Sequence, residues 1–226
     1  MPTTDAAIDE KLDYLVNTLE ATYGRQTRYS TKSAVDQLIA TTLSQRTNYA
    51  DEKAAYDKLL DTYGDWYGVA AAPVEGIEQC IQTSRWPEIK APRIKEILNT
   101  ILAEYGELDL QFLADMPVEE AQELLMKLPG VGFKTSTFVL LFSLRRPALP
   151  VDTHVHRVST RFGILPKKIT QAKSHGALWR CYPRTPMSCS TFTSYSSSTG
   201  SGCVPTPVRS ASSVWWRRTV GTTWRR

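Results

Sequence analysis

Apolar side chains recur at every third or fourth position through roughly the first 165 residues, the spacing that gives a helix one buried face. Ile8, Leu12, Leu15 and Leu19 form the first such stripe, which ends at Gly24. Further stripes follow along the chain, at positions 35–43, 55–63, 77–81, 94–102 and 119–125. No segment here alternates apolar and polar residues as a half-buried strand does. The sequence therefore predicts an all-α fold.

Residues that favour helix N-termini mark where several of these helices begin. Ser33, with Asp36 three residues later, has the pattern of a capping box, and Asn48 is a second expected N-cap. Proline also suits the first turn of a helix, where its nitrogen needs no intrahelical partner. We therefore expect three further helices to begin at Pro73, Pro92 and Pro117.

The character of the chain changes after about Lys173, where the helical spacing of apolar residues stops. Residues 191–202 read TFTSYSSSTGSG, a low-complexity polar run. The sequence thus predicts a helical domain over residues 1–173 and an aberrant basic tail, rich in Ser, Thr, Arg and Trp, over residues 174–226. Two interpretations of the tail stay open: a disordered basic arm, or a shift of reading frame near residue 174.

The net charge of +4 conceals an asymmetry along the chain. All 23 acidic residues lie at or before Asp152 together with 15 lysines and arginines, which gives this part a net charge of −8. The remainder carries 12 basic side chains and no acidic one. An acidic main domain that binds nucleic acid must do so through local geometry, because its total charge repels phosphates.

Leader and membrane signals are absent from the pattern. No basic-then-apolar start resembles a signal peptide, and no apolar run approaches the roughly 20 residues of a membrane-spanning helix. The four cysteines are too scattered for a secreted disulfide scaffold. We expect an intracellular protein without a membrane partner.

The segment Leu128-Pro-Gly-Val-Gly-Phe-Lys-Thr135 joins two predicted helices, one ending near Lys127 and one beginning near Lys134. Gly130 and Gly132 permit positive φ angles and let a ligand approach the backbone closely. The first amides of the second helix then form an anion site. A tight turn with a glycine C-cap is the simpler alternative.

Two motifs, LPGVGFKTST at 128–137 and PVDTHVHRV at 150–158, resemble the endonuclease III branch of the helix-hairpin-helix (HhH-GPD) DNA glycosylases. The resemblance extends through 38–51 and 81–98 and covers about residues 30–168. It implies a two-lobed helical fold with the hairpin at about 117–144 and the active site between the lobes. It also implies a monomer that binds double-stranded DNA containing a damaged base or an abasic site.

The resemblance assigns catalytic roles to Lys134 and Asp152. The Lys134 amine would attack C1′ of the damaged nucleotide and form a Schiff base, which requires an amine that is neutral near pH 7. Asp152 would stabilise the positive charge that develops on the sugar. Asp152 is also a good N-cap for the helix that follows, and the two roles are compatible.

The resemblance further implies a set of DNA-binding residues. Gln45 would fill the gap left by an extruded nucleotide, and Trp86 would form a wedge between bases. The simpler alternatives are a polar helix end at Gln45 and packing between short helices at Trp86. Hairpin contacts with DNA are expected from Leu128, Gly130, Val131, Gly132, Lys134 and Thr135.

Relatives of endonuclease III usually hold an iron–sulfur (4Fe–4S) cluster through four C-terminal cysteines spaced C-x6-C-x2-C-x5-C. Here Cys181, Cys189 and Cys203 are separated by seven and thirteen residues, and no fourth cysteine follows. We therefore expect no cluster. His154 and His156 lie two apart on one helix and point to different sides, so we expect no metal site there.

Taken together, the residues and the resemblance predict a base excision repair DNA glycosylase with an associated AP lyase (β-elimination) activity. We expect its substrates to be oxidised pyrimidines and its location to be the nucleoid in a bacterial or archaeal cytoplasm. The alternatives are a monofunctional glycosylase, a non-catalytic helix-hairpin-helix DNA-binding protein, or a decayed product that retains the motif.

Overall fold

The computed structural model describes residues 5–23 and 30–181. Regular structure in these ranges is entirely helical, as the spacing of apolar residues predicts. The α-helices are α1 (Asp5–Tyr23), α2 (Ala34–Ser44), α3 (Tyr49–Tyr63), α4 (Trp66–Ala71), α5 (Val74–Cys80), α6 (Pro87–Tyr105), α7 (Val118–Lys127), α8 (Phe133–Phe138), α9 (Thr153–Arg161) and α10 (Gln171–Cys181). A 3₁₀ turn spans Gln111–Ala114, and α8 continues as a π-helical turn through Val139–Ser143.

The chain forms two compact units, and each is described by itself. The terminal unit combines Met1–Arg28 with Pro147–Arg226, and the central unit is Tyr29–Arg146. In the central unit, α2 lies against α3, α6 and α8. Helices α2, α3 and α6 bury apolar side chains, whereas the buried residues of α8 are Thr135, Ser136 and Thr137. Its fully buried core includes Leu38, Ile39, Leu43, Leu59, Ile94, Leu98, Leu125 and Leu140.

One carboxylate, that of Asp36, ties three helices of the central unit together. It closes the predicted capping box with Ser33 at the start of α2. Its Oδ1 also accepts hydrogen bonds from the Tyr56 hydroxyl at 2.7 Å and from the Trp66 indole at 2.6 Å. Burial raises the pKa of Asp36, but these hydrogen bonds to the charged form outweigh burial and hold the pKa below its usual value.

In the terminal unit, α1 is joined to the turn that follows α9. The Lys11 ammonium donates to the carbonyl of Gly163 at 3.0 Å, and the rings of Tyr14 and Phe162 stack with centroids 6.3 Å apart. Residues distant in sequence therefore build this unit jointly.

Two sequence-based expectations about helices are corrected by the structure. Pro92 lies inside α6, which begins at Pro87. Pro87 already occupies the first turn, and Pro92 removes only one amide from a helix that Ile94, Ile97 and Ile101 anchor in the core.

The second correction concerns the expectation that helical spacing stops after Lys173. Helix α10 continues to Cys181, and its buried stripe consists of Ser174 and Leu178. One of these two is a small polar residue, so a search for large apolar residues misses the stripe. The domain boundary stays a prediction, and the tail beyond residue 181 lies outside the described residues.

None of the helices in the described ranges combines the length and the apolar character that crossing a membrane requires.

Candidate functional site

The hairpin forms where the sequence places it, between the end of α7 at Lys127 and the start of α8 at Phe133. The Val131 amide donates to the Leu128 carbonyl at 3.1 Å and closes a tight turn. Gly130 has φ +70°, a left-handed conformation that glycine adopts without strain. Gly130 therefore uses the conformational freedom that the sequence offers at this position.

Gly132, the second hairpin glycine that permits a positive φ, does not adopt one. Gly132 has φ −99° and ψ −177°, an extended conformation open to any residue, and it is the N-cap of α8. A Cβ built at this position would meet no atom within 4 Å. Neither the backbone conformation nor packing within the protein requires glycine at this position. Close approach of a ligand to the backbone would require it.

The hairpin presents its backbone more than its side chains. Leu128, Val131 and Thr135 are buried, with 3%, 5% and 7% of their surface exposed. Any contact between these residues and DNA must therefore use main-chain groups. No side chain caps α8, because its N-cap is a glycine.

Lys134 is the second residue of α8 and is exposed. Its ammonium lies 5.5 Å from the centre of the Phe138 ring, one turn further along the same helix. The aromatic face attracts the cation and directs the side chain along the helix surface.

Asp152 caps α9 in the terminal unit, which confirms the predicted N-cap. Its Oδ1 accepts hydrogen bonds from the amides of His154 at 2.9 Å and Val155 at 2.8 Å. Its Oδ2 accepts none from the described residues. Capping fixes the carboxylate through Oδ1, while the other oxygen stays available. Lys134 belongs to the central unit, so its relation to Asp152 stays a prediction.

The two histidines that follow Asp152 have different surroundings. His156 Nδ1 lies 3.2 Å from the Ser174 hydroxyl on α10, whereas His154 Nδ1 is buried and has no hydrogen-bond partner among the described residues. Among the described residues, no group of three or more His, Cys, Asp or Glu side chains could hold a metal ion.

Gln45 lies in a turn directly after α2. The Thr47 amide donates to the Ser44 carbonyl at 3.0 Å, and Arg46 at the centre of the turn has φ +57°. A left-handed conformation is unfavourable for a residue with a Cβ. The side-chain amide of Gln45 makes no hydrogen bond within the described part of the chain, so it can engage a ligand.

Trp86 lies in a second unusual loop, directly before α6. It has φ +59° and ψ 55°, a left-handed conformation, although the residue before a proline favours an extended one. Its side chain is 43% exposed, and the Arg85 guanidinium lies 5.2 Å from its ring centre. The expected alternative, packing between two short helices, does not account for this exposure.

Sequence reasoning missed Lys90, a lysine of α6 that is 2% exposed. Its ammonium donates to the Leu43 carbonyl at 2.7 Å, the Gln45 carbonyl at 2.8 Å, the Ser84 hydroxyl at 2.8 Å and the Thr47 hydroxyl at 3.1 Å. Burial lowers its pKa to about 8, although the nearby Glu52 carboxylate opposes this shift. A signal was present, because Lys90 lies four residues before Ile94 on the apolar stripe of its helix.

Comparison with known proteins gives a family match over most of this region. Residues 39–184 match the HhH-GPD superfamily of base excision DNA repair proteins. The match continues 11 residues beyond the boundary at residue 173 that the sequence predicts.

Individual relatives agree with this match. A putative DNA glycosylase of Arabidopsis thaliana is 36% identical over 152 residues, which are 67% of this chain and 52% of the relative. Endonuclease III of Thermotoga maritima is 38% identical over 146 residues, 65% of this chain and 64% of the relative. Each alignment thus covers less than two thirds of the relative's own length.

The fold also has counterparts among solved structures. A trapped covalent intermediate of endonuclease III with DNA superposes with a TM-score of 0.67 at 24% identity, covering 81% of this chain and 84% of the other. This likeness shows that the fold is of the helical endonuclease III type.

Proposed function

The chain belongs to the HhH-GPD superfamily of base excision DNA repair proteins, and on that premise we propose that it is a DNA glycosylase with an associated AP lyase activity. The observation that carries the proposal is the position of Lys134. It is exposed on the first turn of the second hairpin helix, where its amine can reach a nucleotide bound at the hairpin.

The chemistry starts from the lone pair of the neutral Lys134 amine. The amine forms a bond to C1′ while the bond from C1′ to the base breaks, and the base leaves with the bonding pair and takes up a proton. The amine then loses a proton and the sugar ring opens, which gives an imine between Nζ and C1′. Loss of a proton from C2′ expels the 3′ phosphate, and water hydrolyses the imine to release the lysine.

Asp152 acts in this scheme on the sugar. Its carboxylate stabilises the positive charge that accumulates as the bond to the base breaks. The two amides of α9 hold the carboxylate in place through Oδ1, and Oδ2 remains for the substrate.

The hairpin holds a phosphate of the DNA backbone in this proposal. Because the hairpin uses main-chain amides, it needs no excess of basic side chains in an acidic domain. The open space beside Gly132 supports this role, since a backbone phosphate could approach there without meeting a Cβ.

The substrate we propose is an oxidised pyrimidine in duplex DNA, bound by a monomer. A panel of duplexes with one lesion each tests this specificity when base release is measured with the full chain. Preferential release of oxidised pyrimidines supports it, whereas preference for an oxidised purine or a mismatched thymine would replace it.

We also propose that the protein works without an iron–sulfur cluster. The cysteine spacing departs from the family pattern, and the one cysteine whose side chain is described, Cys80, is buried and donates to the Thr62 hydroxyl at 3.5 Å. Iron analysis and visible absorption of anaerobically purified protein test this. Stoichiometric iron with cluster absorption would contradict the proposal.

Borohydride trapping on duplex DNA with one abasic site tests the lyase activity, because reduction converts the imine into a stable covalent adduct. We expect an adduct with the full chain and with Lys127→Ala, and none with Lys134→Ala. Lys127 is a matched control, since it is also exposed and ends the first hairpin helix. Adduct formation by Lys134→Ala would assign the nucleophile to another residue.

A further inference from the structure

The buried ammonium of Lys90 joins two separate segments of the central unit. Leu43, Gln45 and Thr47 belong to the end of α2 and the loop after it, called here the glutamine loop (residues 43–48). Ser84 belongs to the loop before α6, called here the tryptophan loop (residues 83–86). The ammonium has three N–H groups for four acceptor atoms at 2.7–3.1 Å, so all its donors are directed at these two loops.

Direct hydrogen bonds between the loops surround this ammonium. The Ser84 hydroxyl donates to the Leu43 carbonyl at 3.0 Å, and the Arg85 amide donates to the Thr47 hydroxyl at 3.1 Å. The Thr83 hydroxyl reaches the Asp51 carbonyl at 2.9 Å just beyond the glutamine loop. Lys90 thus lies at the centre of a network that spans both loops.

Each loop also contains a residue in an unfavourable backbone conformation. Arg46 in the glutamine loop has φ +57°, and Trp86 in the tryptophan loop has φ +59°. Such conformations persist only where surrounding interactions determine them, and they concentrate at functional sites. The Lys90 network supplies those interactions, since it bonds Gln45 and Thr47 on either side of Arg46 and Ser84 two residues before Trp86.

We propose that Lys90 is a positioning residue that fixes the glutamine loop and the tryptophan loop relative to each other, so that Gln45 and Trp86 enter a DNA duplex as one unit. The inference rests on the proposed function, in which these two side chains replace and separate bases. It adds a residue that does not itself touch DNA.

A purely structural role for Lys90 makes a different prediction. If Lys90 only stabilised the fold, its loss would lower the activity on every substrate by the same factor. If it positions the loops, its loss should impair substrates whose strands must be separated and spare those already single-stranded.

Lys90→Met provides the test, because methionine retains most of the apolar stem and removes the ammonium. Lys95→Met is the matched control: Lys95 lies on the same helix and donates to a backbone carbonyl, that of Ala72 at 2.5 Å, away from both loops. Lyase rates of the full-length protein and of each full-length variant are measured on one abasic strand, once annealed to its complement and once alone. The readout is the duplex rate divided by the single-strand rate.

We expect Lys90→Met to lower the duplex rate by about tenfold to a hundredfold and the single-strand rate by less than about threefold. Lys95→Met should leave the ratio unchanged. An unchanged ratio in Lys90→Met, whether both rates fall together or neither falls, would overturn the proposal.

A second variant covers the case in which Lys90→Met does not fold. Thr47→Val keeps the lysine and the shape of its neighbour but removes the hydroxyl that bonds Lys90 and Arg85, and Thr47→Ser restores that hydroxyl. We expect a lowered ratio in Thr47→Val and recovery in Thr47→Ser. Equal ratios in the two variants would also contradict the inference.

A readout without chemistry separates this inference from the proposed function. A 2-aminopurine opposite an abasic site fluoresces more strongly when side chains unstack it on binding. If the unsubstituted protein raises the fluorescence but cleaves no DNA, the proposed function fails, while the two loops still enter the duplex. If Lys90→Met raises the fluorescence as much as the full chain does, the positioning role fails whatever the activity.

Discussion

Arg93 of α6 lies directly against Gly130 of the hairpin: a Cβ built on Gly130 would come within 2.5 Å of both Cδ and Nε of Arg93. Lys90, one turn earlier on α6, holds the glutamine and tryptophan loops. One helix therefore places three segments that the sequence assigns to DNA binding. This arrangement explains how short loops with strained residues can keep a defined geometry.

Gly130→Ala should destabilise the central unit. The added methyl group would clash with Arg93, and φ +70° is unfavourable for alanine. We expect a loss of about 1–3 kcal/mol in the free energy of unfolding. Urea unfolding followed by circular dichroism measures it, and a loss below about 0.5 kcal/mol would show that the hairpin adjusts freely.

Gly132→Ala should leave the stability of the protein intact and weaken its binding to DNA. Its φ of −99° suits alanine and no atom lies within 4 Å of the added Cβ, so the free energy of unfolding should stay equal or rise by about 0.4–1 kcal/mol. Affinity for DNA should nevertheless fall, because the methyl group occupies the space that a phosphate needs. Fluorescence anisotropy with an abasic duplex checks this. Unchanged affinity would mean that the hairpin amides do not contact the DNA.

Two different substitutions of Asp152 should separate its role as the N-cap of α9 from its catalytic role. Asp152→Ala removes the cap of α9 and should cost about 1 kcal/mol of stability. Asp152→Asn keeps an N-cap side chain and the shape but removes the charge, so stability should change little. Both variants should slow base release, with DNA affinity largely retained. Wild-type rates of base release in Asp152→Asn would exclude a catalytic charge at this position.

The sequence predicts those parts of the site that depend on short-range rules. The hairpin depends on Gly130 and its turn, and the caps at Ser33, Asn48 and Asp152 depend on a side chain two or three residues from its amide partner. Such local relations leave a direct pattern in the sequence. The structure places each of these elements where the pattern does.

The parts that sequence reasoning misses depend on contacts between distant residues. Lys90 reaches carbonyls 45 and 47 residues earlier in the chain, and the surroundings of a lysine cannot be read from its neighbours in sequence. Both hairpin glycines permit a positive φ, and the sequence alone does not show that of the two only Gly130 adopts one. The rule that places proline in the first turn of a helix fits Pro87 as well as Pro92, so it does not by itself fix the start of α6.

The pKa of Lys90 predicts how stability depends on pH. The pKa falls from 10.5 to about 8 on folding, because burial disfavours the charged form more than Glu52 favours it. Glu52 is itself partly buried, which raises its pKa, while the charges of Lys32 and Lys90 lower it. Between pH 8 and pH 10.5 the unfolded chain binds more protons at Lys90 than the folded chain, so the contribution of this residue to stability rises with pH.

Comparison of the full chain with Lys90→Met isolates this contribution, since tyrosines and other lysines titrate equally in both proteins. From pH 7.5 to pH 9.5, the full chain should gain about 1–2 kcal/mol of unfolding free energy relative to the variant. Urea titrations at the two pH values measure the difference. A relative loss over this interval would mean that the four acceptors stabilise the ammonium more than burial costs it, and that the folded-state pKa lies above 10.5.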